Sequence, residues 1–348
     1  MPQTAVAHIR VSATVSSTWQ RWIAKKRRHK VEASMSDTIA LITRLADEPE
    51  AQYLAALRGA MPDETILPLR EMSIAQRLDS TIAIVANPDP ANLASLPRLA
   101  WVQSLWAGVE QLIASWPQDG PPIVRLVDPE MSRTMAEAVL AWTYYLQRDM
   151  PVYRAQQNNR EWHQHTYRKP SNIEVGILGL GTLGAQASQR LLDAGFKVSG
   201  WSRTAKQVDG VTTHHGHEGL DDMLAAADIV VCLAPLTPET RGLIDKTRIA
   251  RMKAGCALIN FARGPVVVEA DLLDALGRGQ ISHAVLDVFD VEPLPTHSPL
   301  WLHPNVTVLP HISAPTDVQT AASVIAANIS QFRNTGQVPE SVDFARGY

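Results

Sequence analysis

The chain has 348 residues, of which 45% are hydrophobic and 19% are charged, and its formal net charge at pH 7 is −3. This length predicts two domains, each with its own core, in an ordinary soluble protein. The charge gives no support for binding nucleic acid or an anionic membrane, and no apolar run approaches the ~20 residues of a membrane span. Cys232 and Cys256 lie in apolar runs without the spacing of a disulfide framework or a zinc site, which indicates reduced thiols in a cytoplasmic protein.

Residues 1–34 form a basic leader. There is no Asp or Glu between Met1 and Val31, whereas Lys and Arg are frequent there. Such a segment resembles an organelle transit peptide. A disordered tail, or an upstream start codon with translation beginning at Met35, explains it more simply, because the first strand-like segment begins only after Met35. We expect neither folding nor activity to need this leader.

After Met35, strand patterns alternate with helical patterns, which predicts parallel sheets joined by crossover helices. A first series of five predicted strands covers residues 38–43, 65–69, 81–86, 101–105 and 123–127. A long helical pattern follows at residues 132–146. A second series of six apolar runs covers residues 173–178, 197–201, 228–233, 257–261, 284–289 and 306–309. Six strands with intervening helices are the full complement of a doubly wound nucleotide-binding sheet.

The second series begins in the middle of the chain, and a last helical pattern at residues 317–332 returns to the first domain. The predicted fold class is therefore α/β with two domains, a Rossmann-type doubly wound parallel sheet inserted into a discontinuous flavodoxin-like substrate domain. We expect residues 35–134 with 316–348 to form the substrate (lid) domain and residues 135–315 to form the dinucleotide-binding domain. A cleft between two such domains is the natural place for a site.

The segment GILGLGTLG, residues 176–184, opens this second series with the spacing G-x-G-x-x-G between an apolar run and a helical pattern. Gly179 permits a tight turn, Gly181 lets the backbone approach a pyrophosphate, and Gly184 lets helix and strand pack closely. Thr182 and Leu183 lie at the start of the helix, where N–H groups and the helix dipole favour an anion. The segment predicts a dinucleotide site.

The loop after the next strand favours NADP over NAD. NAD sites place an Asp or Glu about 20 residues beyond the glycines. Here Ser202, Arg203 and Thr204 occupy that place, with Lys206 nearby and no carboxylate before Asp209. An arginine and two hydroxyls suit a 2′-phosphate. The predicted cofactor is NADP (NADPH), with NAD as the alternative if Arg203 only caps a solvated loop.

Three candidate catalytic residues follow the last three strands of the second series. Arg263 lies in INFARGP, Glu292 in LDVFDVEPLP and His311 in LPHISA. An anion anchor, a carboxylate and a proton donor that meet at one sheet edge form a workable set for carbonyl reduction. Taken singly, Arg263 also suits a surface ion pair and Glu292 suits a turn.

Together these segments and the glycine fingerprint resemble the D-isomer-specific 2-hydroxyacid dehydrogenase family. WSR, SPLW and the C-terminal VDFARGY resemble its bacterial glyoxylate/hydroxypyruvate reductase branch, and the resemblance spans about residues 35–348. It implies NAD(P)H-dependent reduction of short 2-oxo acids by a two-domain homodimer. It also implies that Arg263 holds the substrate carboxylate, that His311 donates a proton to the developing alkoxide, and that Glu292 hydrogen-bonds His311.

The resemblance extends to binding residues. The predicted cofactor contacts also include Leu233, Pro235, Ala262 and Asp287, and the predicted substrate contacts are Trp106, Ala107, Gly108 and Arg263. N–H groups of the loop SLWAGVE, residues 104–110, suit a carboxylate. Trp106 stands where the family commonly has Ser, and either narrows the pocket or belongs to a core.

Other polar residues carry weaker expectations. Ser313 is a candidate contact to the nicotinamide amide, and His163 and His165 resemble the family's dimer arm. His214, His215 and His217 are assigned to a polar loop, and no metal site is expected there because acidic or thiol partners are missing at ligand spacing.

Two other functions remain open. Corepressors of the C-terminal-binding-protein type sense NAD(H) on the same scaffold with the same triad, and the WSR signature argues against them. Within the enzymes, other D-2-hydroxyacid dehydrogenase substrates, including phosphoglycerate, and formate remain possible.

Overall fold

The computed structural model describes residues 37–117, 119–344 and 346–347, so the predicted leader lies outside the described residues. The described residues form two compact units, one from residues 37–128 with 316–347 and the other from Pro129–Pro315. The predicted division at residues 134 and 135 falls inside the helix Pro129–Gln147. This helix packs against the helix Thr182–Asp193 of the second unit, and for that reason the whole helix belongs to the second unit.

The strands and helices are numbered here in chain order. The strands are β1 Ile39–Thr43, β2 Ile66–Pro68, β3 Ile82–Ala86, β4 Trp101–Ser104, β5 Ile123–Val124, β6 Glu174–Leu178, β7 Lys197–Ser202, β8 Thr212–His215, β9 Ile229–Cys232, β10 Cys256–Asn260, β11 Ile281–Leu286 and β12 Val306–Val308. The α-helices are α1 Asp47–Ala60, α2 Ile74–Asp79, α3 Pro90–Leu93, α4 Glu110–Ala114, α5 Pro129–Gln147, α6 Met150–Asn159, α7 Thr182–Asp193, α8 Gly216–Ala226, α9 Lys246–Ile249, α10 Glu269–Gly277 and α11 Val318–Thr335. Among the described helices, none is long and apolar enough to cross a membrane.

The first unit is built on a five-stranded sheet with the order β2-β1-β3-β4-β5, in which neighbouring strands run parallel. This is the flavodoxin-like order, and it confirms the predicted architecture. The central strands β1 and β3 are apolar along almost their whole length because both faces of the sheet are covered. Ile39, Ala40, Ile82 and Ile84 are fully buried.

A buried ion cluster connects the two ends of the first unit. Arg333, near the end of α11, donates from Nη1 to Asp37, which directly precedes β1, and from Nε to Glu64 Oε1 at 2.8 Å. The Asp37 side chain is only 1% exposed and the Arg333 side chain 10%. A second oxygen of Asp37 accepts the N–H of Thr81. The C-terminal helix is thus held to the first strand by charged hydrogen bonds shielded from water.

We expect Arg333→Met to lower the free energy of unfolding by about 3–5 kcal/mol, because it leaves the buried Asp37 carboxylate without its cation. Urea denaturation measures the change. Arg44→Met is the matched control in the same unit, since Arg44 forms an exposed pair with Asp89 at 4.0 Å and should cost less than about 1 kcal/mol. Equal losses in the two variants would contradict the importance of the buried cluster.

The second unit is built on a seven-stranded sheet with the order β12-β11-β10-β9-β6-β7-β8, again parallel between neighbours. Counted from β6, this is the doubly wound order 3-2-1-4-5-6 with a seventh strand added after the sixth. The structure confirms the predicted nucleotide-binding architecture. Six of the seven strands correspond to the predicted apolar runs, and β8 is the strand that the sequence analysis did not predict.

The strand β8 corrects the assignment of the histidine cluster to a loop. His214 and His215 belong to β8, and His217 lies in the first turn of α8. The sequence TTHH shows no apolar alternation because β8 is an edge strand with exposed and half-buried positions. In the part of the chain that the structure describes, no group of three or more His, Cys, Asp or Glu side chains is arranged to hold a metal ion.

His283 on β11 is a buried histidine whose Nε2 lies 2.9 Å from the Thr307 hydroxyl on β12. Its Nδ1 has no hydrogen-bond partner among the described residues. Burial is the main reason that the pKa of His283 falls from 6.5 to about 4, with a smaller contribution from His303. The folded protein therefore holds this imidazole neutral at pH 7.

The lowered pKa of His283 makes stability depend on pH. Because the unfolded chain binds the proton more readily, this contribution is complete above pH 6.5 and is lost as the pH falls toward 4. Between pH 7 and pH 5 we expect a loss of about 2 kcal/mol, which His283→Gln should largely remove. Urea titrations at both pH values test this, with His297→Gln as an exposed control. An unchanged pH dependence in His283→Gln would contradict the assignment.

Candidate active site

The glycine fingerprint forms the turn between β6 and α7. Gly179 has a φ of +113°, and a Cβ there would lie 2.6 Å from the backbone nitrogen of Ala234. A Cβ on Gly184 would collide with the carbonyl oxygen of Gly179, whereas a Cβ on Gly181 would meet no atom within 4 Å. The first glycine thus makes the turn, the third packs the helix onto it, and the second leaves open space above the backbone.

The start of α7 faces this turn. Gly181 is the residue before the helix, and Thr182, Leu183 and Gly184 form its first turn. The first N–H groups of a helix have no acceptor within the helix, and its dipole favours negative charge. The cradle therefore fits the pyrophosphate of a dinucleotide, because it offers donors, positive potential and room for close approach.

The segment after β9 closes one side of the cradle. Leu233 donates its N–H to the carbonyl of Leu178 at 2.8 Å, and the backbone at Leu233 and Ala234 lies directly against Gly179. Pro235 follows, and its carbonyl accepts the hydroxyl of Thr240 at 2.6 Å. Leu233 and Pro235 therefore lie beside the predicted dinucleotide site.

The loop predicted to bind the 2′-phosphate follows β7. The Ser202 hydroxyl donates to the carbonyl of Thr204 at 2.8 Å, within the loop itself. Arg203 lies 3.5 Å from the Glu239 carboxylate, a contact between segments that follow β7 and β9. Lys206 donates from Nζ to the carbonyl of Leu180, inside the glycine turn, at 2.9 Å. Two cations and one anion therefore lie at this edge of the cradle.

Arg263 follows β10 in a loop that Asn260 organises. The Asn260 side chain is 1% exposed; its Oδ1 accepts the N–H of Ala262 and its Nδ2 donates to the carbonyl of Arg263. The guanidinium of Arg263 donates from Nη1 to the carbonyl of Ala262 at 2.7 Å. Gly264 then lies so close to the backbone of Phe289 that a Cβ would collide with it.

Glu292 and His311 contact each other directly. Glu292 Oε2 lies 2.7 Å from His311 Nδ1, and Glu292 Oε1 accepts the N–H of Phe289 at 2.9 Å. Oε1 thus fixes the carboxylate to the backbone, and Oε2 orients the imidazole. A proton on Nδ1 is thereby committed to Glu292, and Nε2 is left as the nitrogen from which a proton can be delivered.

Asp287 fixes the backbone that follows His311. Its side chain is 2% exposed, and its two oxygens accept the N–H groups of Ile312 and Ser313 at 2.7 and 2.8 Å. His311 itself has a φ of +56°, a left-handed conformation that is uncommon for residues other than glycine. Asp287, predicted as a cofactor contact, thus uses its carboxylate to hold the histidine loop.

Ser313 supplies a polar group that fits a bound ligand. Its side chain is 5% exposed, and Oγ has no hydrogen-bond partner among the described residues. A buried hydroxyl without a partner is costly unless another molecule satisfies it. The orphaned hydroxyl beside His311 and the open cradle at Gly181 together fit a dinucleotide with an amide-bearing ring.

The predicted substrate loop lies in the first unit, after β4. Trp106 donates its N–H to the Ser104 hydroxyl at 3.0 Å and accepts the N–H of Leu126 at 3.0 Å. Its indole contacts the Tyr53 ring edge-to-face, with 5.8 Å between ring centres. Ala107 and Gly108 lie between β4 and the short helix α4. The ring contact holds Trp106 against its own unit, and the loop stays a predicted substrate site.

Sequence reasoning did not assign Asn260 or Glu239 to the site. Asn260 ends a strand of otherwise apolar residues, and a polar residue at a fully buried position is the signal that was available. Glu239 lies 36 residues from Arg203 in the chain, and no local pattern connects the two.

The doubly wound sheet, the dinucleotide cradle and an acid–histidine pair at the ends of its strands define a nicotinamide-dependent oxidoreductase. The family model of the D-isomer specific 2-hydroxyacid dehydrogenase NAD binding domain matches residues 140–313. Glyoxylate/hydroxypyruvate reductase A of Serratia proteamaculans is 38% identical over 304 residues, which cover 85% of this chain and 96% of the relative. The Yersinia enterocolitica protein of the same name is 36% identical over 304 residues, with the same coverage.

Solved structures agree with this result. A D-isomer specific 2-hydroxyacid dehydrogenase from Xanthobacter autotrophicus Py2, in complex with NADPH and MES, superposes with a TM-score of 0.84 at 40% identity, covering 90% of this chain and 100% of that one. The chain therefore belongs to the D-isomer specific 2-hydroxyacid dehydrogenase family, in the branch of glyoxylate/hydroxypyruvate reductase A. It is an NAD(P)-dependent oxidoreductase, and the family and enzyme class implied by the sequence motifs are confirmed.

Proposed function

We propose that the protein reduces short 2-oxo acids, glyoxylate to glycolate and hydroxypyruvate to glycerate, with NADPH. The observation that carries this proposal is the 2.7 Å contact between His311 Nδ1 and Glu292 Oε2 at the ends of strands that also present Arg263. An NADPH-dependent glyoxylate/hydroxypyruvate reductase from Sinorhizobium meliloti, solved with NADP and sulfate, is 32% identical, with a TM-score of 0.83 over 90% of this chain and 100% of that one.

The proposed mechanism assigns one task to each residue. When bound, the nicotinamide supplies a hydride to the carbonyl carbon. The carbonyl oxygen gains negative charge during reduction, so His311 delivers a proton to it from Nε2 while Glu292 orients the imidazole through Nδ1. Arg263 anchors the substrate carboxylate and polarises the 2-oxo group.

We propose further that Trp106, Ala107 and Gly108 contact the substrate. The indole held by Tyr53 would form a rigid wall that favours small 2-oxo acids. The remaining cofactor contacts would come from the glycine cradle, the loop at Ser202, Arg203 and Thr204, and the segments at Leu233, Pro235, Ala262 and Asp287.

The substrate proposal is tested by following NADPH oxidation with a panel of 2-oxo acids of increasing size. We expect glyoxylate and hydroxypyruvate to give the highest kcat/KM, and larger 2-oxo acids to be poorer substrates. A preference for a long-chain 2-oxo acid, or the absence of turnover with every member of the panel, would overturn the proposal; the second outcome would favour a cofactor-sensing protein on the same scaffold.

We expect Arg203→Ala to remove most of the preference for NADPH over NADH. A charge-assisted hydrogen bond to the 2′-phosphate is worth about 1.5–3 kcal/mol, or roughly 10- to 150-fold in kcat/KM. Activity with NADH should stay near its wild-type value, because NADH carries a hydroxyl there. Steady-state kinetics with both cofactors measure this ratio, and an unchanged ratio in the variant would contradict the role of Arg203.

The family resemblance also suggests a homodimer, which we propose for this chain. The segment after α6 exposes large aromatic side chains, with Trp162 97% exposed and Tyr167 57% exposed. Exposed aromatics at this density are typical of contact surfaces. Light scattering after size-exclusion chromatography gives the mass directly, and a monomeric mass at micromolar concentration would exclude the dimer.

A further inference from the structure

We propose that Glu239 is a specificity-determining residue for the cofactor. Its carboxylate pairs with Arg203, competes with the 2′-phosphate of NADPH for the guanidinium and repels that phosphate, and it thereby limits how strongly the protein prefers NADPH. The inference rests on the proposed use of NADPH and adds a residue that opposes it.

The contact between the two side chains is long and accessible to water. Arg203 Nη1 lies 3.5 Å from Glu239 Oε2, and the two side chains are 36% and 57% exposed. Exposed ion pairs contribute at most about 1 kcal/mol to stability, so a stronger anion can replace Glu239 at the guanidinium. A phosphate is such an anion, because it offers several oxygens and more than one negative charge to the planar donor array of arginine.

The Glu239 carboxylate lies beside groups that favour its charged form. A hydrogen bond from Thr237 and one from its own backbone N–H lower the pKa of Glu239, with a smaller contribution from Arg203. Thr237 is 5% exposed, and its N–H donates to the Thr240 hydroxyl at 2.8 Å. The anion therefore belongs to an ordered turn and stays charged at neutral pH beside the place where the phosphate would bind.

The expected size of the effect follows from distance and screening. A phosphate oxygen about 2.8 Å from the guanidinium would lie roughly 6 Å from the carboxylate, given the 3.5 Å ion pair. Repulsion between exposed like charges at that distance corresponds to about a three- to tenfold loss of affinity. NADH places a neutral hydroxyl at this position, so the affinity for NADH should not change when the charge of Glu239 is removed.

Lys206 explains why the site tolerates this anion. Its ammonium group lies on the glycine turn through the carbonyl of Leu180 at 2.9 Å, and it adds a second positive charge at the same edge. Arg203 and Lys206 carry two positive charges against the single negative charge of Glu239. The net charge at this edge therefore still favours a 2′-phosphate, and Glu239 reduces the preference for NADPH over NADH.

The experiment measures dissociation constants for NADP⁺ and NAD⁺ by isothermal titration calorimetry in the full-length protein. Glu239→Gln should bind NADP⁺ about three- to tenfold more tightly and NAD⁺ with unchanged affinity. Asp209→Asn is the matched control, since it removes an exposed carboxylate close in sequence to the same loop, and it should change neither constant by more than about twofold. In an Arg203→Ala background, Glu239→Gln should give a smaller gain, because the displaced ion pair is already gone.

The outcomes separate the two ideas. Weaker or unchanged NADP⁺ binding in Glu239→Gln overturns the role of Glu239, as does an equal gain for NAD⁺ or for Asp209→Asn. If the wild-type protein does not prefer NADP⁺ and Arg203→Ala leaves its affinity unaltered, the NADPH assignment itself fails.

Discussion

His311→Gln should lower kcat by about 10²- to 10⁴-fold and leave the affinity for NADPH close to the wild-type value. The carbonyl oxygen of a 2-oxo acid must receive a proton as it becomes a hydroxyl, and the imidazole held by Glu292 at 2.7 Å is positioned to give it. Glutamine keeps a polar side chain of similar reach but has no proton to transfer at neutral pH. Cofactor affinity should stay unchanged, because the glycines proposed to bind the cofactor phosphates belong to the turn between β6 and α7.

Steady-state kinetics and fluorescence titration of NADPH together test this prediction. His297→Gln is the control, since His297 is exposed and has no proposed role, and it should retain wild-type kcat. The kcat of Glu292→Gln should lie between those of His311→Gln and His297→Gln, because the imidazole of His311 loses its anionic acceptor but keeps its proton-bearing ring. Near-wild-type kcat in His311→Gln would mean that another group donates the proton.

Arg263→Ala should lower kcat/KM by about 10²- to 10³-fold, with effects on both kcat and KM. The guanidinium is expected to bind the substrate carboxylate before and during the reaction, so its loss weakens the ground state and the transition state together. The Asn260 side chain holds the backbone on both sides of Ala262, and these bonds do not involve the Arg263 side chain. The variant should therefore keep its loop and its stability.

Arg263→Lys separates charge from geometry. Lysine keeps the positive charge but lacks the planar pair of donors, so it should recover only part of the lost activity. Added guanidinium ion should raise the activity of Arg263→Ala and not that of the wild-type protein. If Arg263→Ala kept its kcat/KM for glyoxylate, the substrate anchor would have to be sought elsewhere.

The glycine fingerprint and the apolar strands could be predicted because their causes are local. The turn needs a glycine at a φ of +113° and another packed against a backbone carbonyl, and both lie within one short segment. The apolar strands are recognisable because buried strands consist of apolar residues. The edge strand β8 escaped prediction because exposed positions place no constraint on TTHH. The contacts of Asp287 with Ile312 and of Glu239 with Arg203 were not predicted because the partners lie 25 and 36 residues apart along the chain.

The site residues divide in the same way. Glu292 and His311 were predicted to meet from their places at strand ends, and the structure puts them in contact. The use of the Asp287 carboxylate was not predictable, since a buried Asp after a strand suits a ligand as well as a loop. The hydrogen bonds of its two oxygens to the N–H groups of Ile312 and Ser313 are visible only in the structure, and its predicted cofactor contact stays a prediction.

The ion pair between Arg333 and Asp37 joins residues that are 296 positions apart. It can therefore form only after almost the whole chain has been synthesised. The second unit, Pro129–Pro315, is continuous, so all of it is synthesised before α11. The strands of the first unit leave the ribosome earliest, yet they must wait for that last helix to cover α1. During this interval the nascent chain carries apolar strands without their final partner, which is the condition under which chaperones bind growing polypeptides.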